Sequence, residues 1–547
     1  GIPQDIQIDP DFNFGSADQR DLANLVNIAP QDIKSIDVLK DAASAAVWGS
    51  KGANGVLLIE TLEGSGKKIQ FNFQYKLSSN IQPPALPLLN GDEYITLQLE
   101  QLLNRYGVFD VPPEIAYDRN YSDFHNYNAN TDWINEITRD SYTHDYFFKI
   151  SGGAGKSNYY TSLNYQDNYG TTINNDFKRI TVRVNLNYKI SDKLRFTTNF
   201  SFSNTNTNSN YEFKNVNVGG TYFGWNDPLN IRRMAYMKAP NMEIWEYDEN
   251  GDPTGDYFNP IQSYQGLGDK FSNPVAIGNL SKDDKRASQI QNSFKLNYNI
   301  SNVFQFRETV SFSYLNNSRN EFVPEEAIGT NWLDHNINLA KDNNSINTQI
   351  ITRSQLFIKP FYNSVAHSFT GVLMWETEQK ASEWMSITSS RGPGSDISET
   401  AANTPINWQG TGGSEENRLG ALGSINYKLN DKYLLTANIR GDANSKFGNA
   451  NRWGIFPSIS FGWRFNKERF LQSANFLSDS KFRLSWGQTG KTPNKPYARF
   501  GLYQTLDQYM YENVIIPEQV TLEDLRWETV TSWNGGLDLN MLSNRLY

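Results

Sequence analysis

Ile180-Thr181-Val182-Arg183-Val184-Asn185-Leu186-Asn187-Tyr188-Lys189-Ile190 alternates, residue by residue, between an apolar side chain and a polar one. Successive side chains of a β-strand point to opposite faces, so this stretch is a strand with one apolar and one polar face. The same alternation runs through Ile69, Phe71, Phe73, Tyr75 and Leu77, and through Leu194, Phe196, Phe200 and Phe202. It recurs in Ile290, Phe294, Leu296, Tyr298 and Ile300, and in Phe304, Phe306, Val310, Phe312 and Tyr314, a row interrupted by Glu308. Glu308 reads as a protein–protein contact or a register shift rather than a lipid-exposed carboxylate.

Taken along the whole chain, the pattern predicts about fourteen strands, near 68–78, 144–153, 157–167, 178–190, 192–204, 286–300, 303–315, 345–361, 364–379, 417–429, 432–443, 453–465, 480–488 and 530–542. The connections alternate in length. Residues 154–156, 191, 301–302, 362–363 and 430–431 make tight turns, whereas 79–143, 205–285, 316–344, 380–416 and 489–529 make long loops. Two connections on the long side, 168–177 and 444–452, are shorter, and one on the short side, 466–479, is longer. Short turns on one side and long loops on the other are the asymmetry of a transmembrane β-barrel, with the long loops extracellular. A soluble sandwich has no reason to sort its loops by parity.

Composition agrees. Aromatic residues make up 14% of 547 residues, yet the hydrophobic share is only 38% and the mean hydropathy is -0.60. A barrel with an apolar, aromatic-girdled exterior and a polar lumen needs that combination. No run is apolar and long enough for a transmembrane helix or a secretory signal. The chain has no cysteine, as suits passage through an oxidising compartment. A net charge of -9 argues against a nucleic-acid partner, which would call for concentrated basic surface.

No constellation points to catalysis. His125, His144, His335 and His367 are scattered without metal-ligand spacing, so neither a catalytic metal nor a cofactor is expected and the chain reads as a non-enzyme. Asp248-Glu249-Asn250-Gly251-Asp252 is read as a polar turn, because the terminal bidentate glutamate of a calcium loop is lacking.

The N-terminal segment differs in kind. Residues 21–61 read as a small α/β piece: a short helical stretch, a loop containing Gly49, Gly52 and Gly55, and a strand from Val56 to Ile59. Helix, loop, strand is the reverse of the order that cradles a dinucleotide phosphate. Within it, Asp37-Val38-Leu39-Lys40-Asp41 followed by Gly49-Ser50-Lys51-Gly52-Ala53-Asn54-Gly55 closely resembles the plug signature of the SusC/RagA-like TonB-dependent transporters of Bacteroidota. The likeness continues through Asn130-Thr131-Asp132-Trp133, Ile150-Ser151-Gly152-Gly153, Asn451-Arg452-Trp453-Gly454, Ser485-Trp486-Gly487-Gln488-Thr489-Gly490 and Leu525-Arg526-Trp527-Glu528.

The resemblance implies an all-β membrane protein: a large antiparallel barrel of about 22 strands in the full protein with a small α/β plug inside. Residues 1–66 would be the C-terminal part of the plug, and 67–547 the N-terminal part of the barrel. Gly1-Ile2-Pro3 is similar to the middle of the family's Asp-Gly-Ile-Pro element. A signal peptide, any N-terminal extension, a TonB box and the start of the plug are therefore expected before it, and about eight strands after residue 547. The implied activity is import of an oligosaccharide or peptide across the bacterial outer membrane, driven by TonB with ExbB and ExbD and capped by a SusD-like surface lipoprotein. Outer-membrane lipid would surround the barrel, and two transporter–lipoprotein pairs would form a dimer. A siderophore or cobalamin receptor of the same fold, and a non-transporting surface adhesin or structural barrel, are the alternatives.

Ligand contacts are expected from aromatic side chains in the long loops, where ring faces can stack on sugars or peptide side chains. Trp225, Tyr257, Trp332, Trp384 and Trp408 are the candidates for substrate or lid contact. Trp375, Trp463 and Trp533 continue outward-facing rows and are expected in an interfacial girdle.

Overall fold

A computed structural model describes residues 28–541 except 40–45, 53–55, 65–67, 108–110, 213–229, 261–271, 329–336, 361–365, 393, 401–405, 472–476 and 510–511. Two strands come first, β1 (Ile33–Leu39) and β2 (Val56–Thr61), paired antiparallel with helical turns at Ala46–Gly52 between them. There follow β3 (Gln70–Asn80), β4 (Ser141–Ala154), β5 (Ser157–Tyr169), β6 (Asp176–Lys189) and β7 (Leu194–Ser209). After the small hairpin β8 (Trp245–Tyr247) and β9 (Pro253–Tyr257) come β10 (Lys282–Asn299), β11 (Phe304–Val323), β12 (Leu339–Ile358), β13 (His367–Ser389) and β14 (Ile406–Leu429). The chain continues through β15 (Tyr433–Asn444), β16 (Trp453–Trp463), β17 (Leu477–Lys491), a second hairpin of β18 (Leu502–Tyr509) and β19 (Glu512–Gln519), and β20 (Glu528–Met541).

Fourteen of these strands form a single antiparallel sheet, each paired with its neighbour in sequence apart from the two small hairpins. All fourteen expected strands are present. Burial is inverted relative to a soluble sheet. On β6 the apolar Ile180 and Tyr188 are exposed, while the alternate Arg179, Thr181 and Asn185 are buried on the concave side. An apolar exterior around a polar interior is what a bilayer requires of a barrel wall.

The expected loops 316–344 and 380–416 are too long. β11 runs on to Val323 and β12 begins at Leu339; β13 runs to Ser389 and β14 begins at Ile406. The physical reason lies on the outward face. Beyond Trp375 on β13 it carries Thr377, Gln379, Ala381 and Glu383 before Met385 and Ile387, so the apolar row is interrupted while the ladder continues, with Gln379 opposite Asn417 and Glu383 opposite Gly413. A wall that has left the apolar layer needs backbone pairing but no apolar row.

The register shift considered for Glu308 is not there. β11 pairs with β10 and β12 without interruption, placing Glu308 opposite Leu296 and Ser354. Its carboxylate, half-buried on the outward face, accepts a 2.6 Å hydrogen bond from Ser354 Oγ.

The long connections are not featureless. Those between β3 and β4, β7 and β10, and β11 and β12 carry α1 (Gly91–Tyr106), α2 (Trp133–Ile137), α3 (Ile231–Met237), α4 (Pro274–Leu280) and α5 (Glu325–Ile328). Asn90 and Glu93 start α1 with a reciprocal capping box. Ile134, Ile137, Ile231, Met234, Ile277 and Phe258 from these connections share one buried core with Val323 at the end of β11. Trp133 lies within it and donates from Nε1 to the Ala239 carbonyl at 2.9 Å. Asn273, fully buried, accepts from the Val275 and Ala276 amides at the start of α4 and donates to the Ile244 carbonyl at 2.8 Å. The loop end of the sheet therefore bears a compact cap with its own core.

Candidate functional site on the inner face of the sheet

The β1–β2 hairpin and its helical turns lie against the polar face of the sheet, and two groups of contacts among the described residues tie them to it. In the first, Asp32, buried just before β1, accepts from Tyr160 Oη at 2.6 Å and Ser162 Oγ at 3.0 Å on β5. Arg183 Nε on β6 stands 3.5 Å from the same carboxylate. The Asp32 carbonyl accepts from the Leu62 amide, and Asn185 Nδ2 donates to the Leu62 carbonyl at 2.7 Å, so both ends of the hairpin meet the wall here.

The second group gathers charge. On β13, Glu376 accepts from Arg353 of β12, with Nε at 2.6 Å, and pairs with Arg418 of β14 at 3.2 Å and Arg440 of β15 at 3.3 Å. Arg440 also pairs with Asp442 at 2.9 Å. Glu378 takes Arg418 at 2.5 Å and then, from the inner segment, Lys51 Nζ at 2.5 Å. The Trp48 ring lies 5.7 Å from the Arg353 guanidinium, within cation–π range. Between Trp48 and Lys51, Gly49 has φ 62°, and a Cβ there would stand 2.2 Å from Arg440 Nε and 2.3 Å from Asp442 Oδ2. Glycine is required twice over, by the left-handed backbone and by the approach to the ion cluster.

Of the plug-signature residues, Asp37, Val38 and Leu39 sit on β1, and Gly49, Ser50, Lys51 and Gly52 in the helical turns. Lys40, Asp41, Ala53, Asn54 and Gly55 lie outside the described residues. Only Gly49 and Lys51 of the signature reach the charged cluster among the described contacts. Its wall-side members had no signal in any single strand. They become a cluster only when the registers bring Glu376 opposite Gly420, and Leu422 opposite Arg440, to one height.

Trp225 and Trp332 also fall outside the described residues. Tyr257 is on β9 rather than in an open loop. It packs against the cap core, stacks on Trp245 at 4.4 Å and accepts from Asn279 Nδ2 at 3.1 Å, a structural environment. Trp384 and Trp408, expected in a loop, are on β13 and β14, because those strands outrun their apolar rows. Both have the parity of Glu376 and Arg418 and so belong to the inner face. Trp375 and Trp533 are exposed on the outward side, as a girdle requires, while Trp463 donates from Nε1 to Glu468 at 3.1 Å.

A sheet apolar outside and polar inside, with a small α/β segment pinned to its inner face by ion pairs, defines a plugged membrane β-barrel. The family model described as TonB dependent receptor-like, beta-barrel matches residues 238–547, and the chain belongs to that family. It is SusC/RagA-like, as its signature indicates. It is 27% identical to the TonB-dependent receptor SusC of Bacteroides thetaiotaomicron over 95% of its own length and 50% of that protein. It is 28% identical to TonB-dependent receptor P3 of Formosa agariphila over 95% of its length and 48% of that protein. The fold is similar to the structure of the RagAB peptide transporter, with TM-score 0.74 and 20% identity over 95% of this chain and 58% of that one. The chain thus spans about half the length of the curated relatives it matches.

Proposed function

We propose that this chain belongs to an energised importer that carries an oligosaccharide or peptide across the bacterial outer membrane. In this reading residues 1–66 belong to the plug and 67–547 to the barrel, with the tight turns facing the periplasm and the cap facing the cell exterior. A SusD-like lipoprotein closes over the cap, and TonB, powered through ExbB and ExbD, pulls on the plug from the periplasm. Pairing of two transporter–lipoprotein units belongs to the same reading.

One observation carries it. Among the described residues, the inner segment is held to the wall by hydrogen bonds and ion pairs through Asp32 and Lys51. Hydrogen bonds and ion pairs that are buried while the segment is seated can be replaced by bonds to water once it is displaced. A segment built to be displaced by force and to return needs that property; a permanently closed structural barrel would favour apolar packing.

Deletion of the gene, with growth on defined oligosaccharides and peptides as sole nutrient, tests the reading. Growth should fail on one class and return on complementation. Normal growth on every nutrient would remove the import role.

A further inference from the structure

We propose that Trp384 and Trp408 form a stacking platform, on the inner wall beyond the membrane, for the ring faces of a neutral oligosaccharide. This rests on the import reading above and names its substrate class.

The two indoles come from neighbouring strands, with Trp384 opposite Gly412 and Trp408 opposite Thr388. Their planes are 5° apart and their centroids 6.5 Å apart. Glycine makes this possible. A Cβ on Gly412 would stand 2.7 Å from Trp384 Nε1, and one on Gly410 would stand 2.7 Å from the Trp408 ring and 3.3 Å from that of Trp384. Both rings therefore rest on bare backbone. They nonetheless remain 43% and 50% exposed.

Neither lipid nor packing accounts for that exposure. The parity is that of the polar face, opposite to that of the outward-facing Glu383, Met385 and Gln409 that flank them. Large aromatic surface held in near-parallel register and left open is suited to a flat partner.

The surroundings select among partners. Next to the platform on the same face, Ser386 Oγ donates to Asn343 Oδ1 at 2.6 Å, and Asn317 Nδ2 donates to Ser345 Oγ at 3.3 Å. The charged groups toward β10 close on one another: Arg319 with Asp283 at 2.7 Å and with Glu321 at 3.0 Å, and Lys341 with Glu321 at 3.6 Å. Ring faces flanked by hydroxyls and amides match the C–H faces and hydroxyl rim of a pyranose chain. A peptide brings charged termini, and the charges here already neutralise one another.

The test uses the full-length transporter purified with its lipoprotein, titrated calorimetrically with maltodextrins, cellodextrins, mannan and galactan oligosaccharides, and in parallel with oligopeptides. At least one neutral oligosaccharide should bind. Trp384→Ala and Trp408→Ala should each weaken it about tenfold, with Trp384→Phe in between. Gly412→Ala keeps both indoles but displaces one, and should weaken binding while Gly535→Ala, at a glycine with open space, does not. Equal affinity in all variants, or binding of peptides alone, overturns the platform while leaving import standing. Loss of import itself would be read separately, from a deletion strain that grows normally on every nutrient.

Discussion

Lys51 Nζ lies 2.5 Å from Glu378 Oε1, joining the inner segment to a wall strand 327 positions later in the chain. Glu378 is buried and also receives Arg418 at 2.5 Å and Gln349 Nε2 at 2.5 Å. Removing one of these three partners differs from removing the carboxylate they share. Lys51→Met should lower stability by about 1 kcal/mol, and Glu378→Leu by about 3 kcal/mol, because it takes from buried Arg418 one of its two carboxylates and from Lys51 its ion pair to the wall. Denaturant unfolding of the purified full-length transporter measures both, and a larger loss for Lys51→Met would contradict the arrangement.

The cap stands on its own core. Trp133 is 3% exposed and its indole hydrogen bond is internal, so Trp133→Ala should cost about 3–5 kcal/mol. The loss should be local, opening the connections that carry α2, α3 and α4 to protease while the sheet stays resistant. Cleavage spreading into the sheet would show that cap and wall unfold together.

Tyr117, held at φ 51°, donates to Asp92 at 2.7 Å in the exposed turn below α1. The hydrogen bonds from Tyr117 and Asn130 keep the Asp92 carboxyl below its ordinary 3.8, so this tie is fully present above pH 3.8 and is lost as pH falls beneath that. The same bond pushes the Tyr117 hydroxyl up to about 12 from 10.0, so the tie is fully present below pH 10.0 and is lost as pH rises through about 12. The chain has no cysteine, so a single cysteine at Asn120 can carry a spin label. Its mobility should be low between those limits and rise at both ends, and Tyr117→Phe should make it high throughout. A flat profile would dismiss the tie.

Glu308 faces outward between Leu296 and Ser354 with one hydroxyl donor. If lipid covers it, Glu308→Leu should stabilise the folded barrel by about 1–2 kcal/mol, as removing an acidic group from the apolar layer does. A destabilised variant would place a polar protein surface against this side.

The strands of the wall were legible because two solvents write alternation into every membrane-spanning segment, as in Ile180 to Ile190. The upper parts of β13 and β14 were not, since Gln379 and Glu383 are polar on one face as Ser382 and Ser386 are on the other. Trp384 and Trp408 thus looked like loop residues. In the inner segment the signature exposed Gly49 and Lys51, but nothing local to Asp32 announced Tyr160 and Arg183 as its partners. Those ties follow from strand register, a property of the assembled sheet. The cap core was missed because its residues are divided among three connections, in helices each too short to show a period of its own.

β14 is 24 residues long. At about 3.4 Å per residue and a tilt near 40°, such a strand climbs roughly 60 Å, twice the thickness of a bilayer's hydrocarbon layer. In the proposed orientation a solute that has passed the rim is already inside a shaft before it reaches the membrane. Its motion there is a search along one axis, with far fewer ways back to bulk water than a ligand on an open surface would have. Height alone then couples retention to passage, and the time a solute dwells should scale with how far these strands rise.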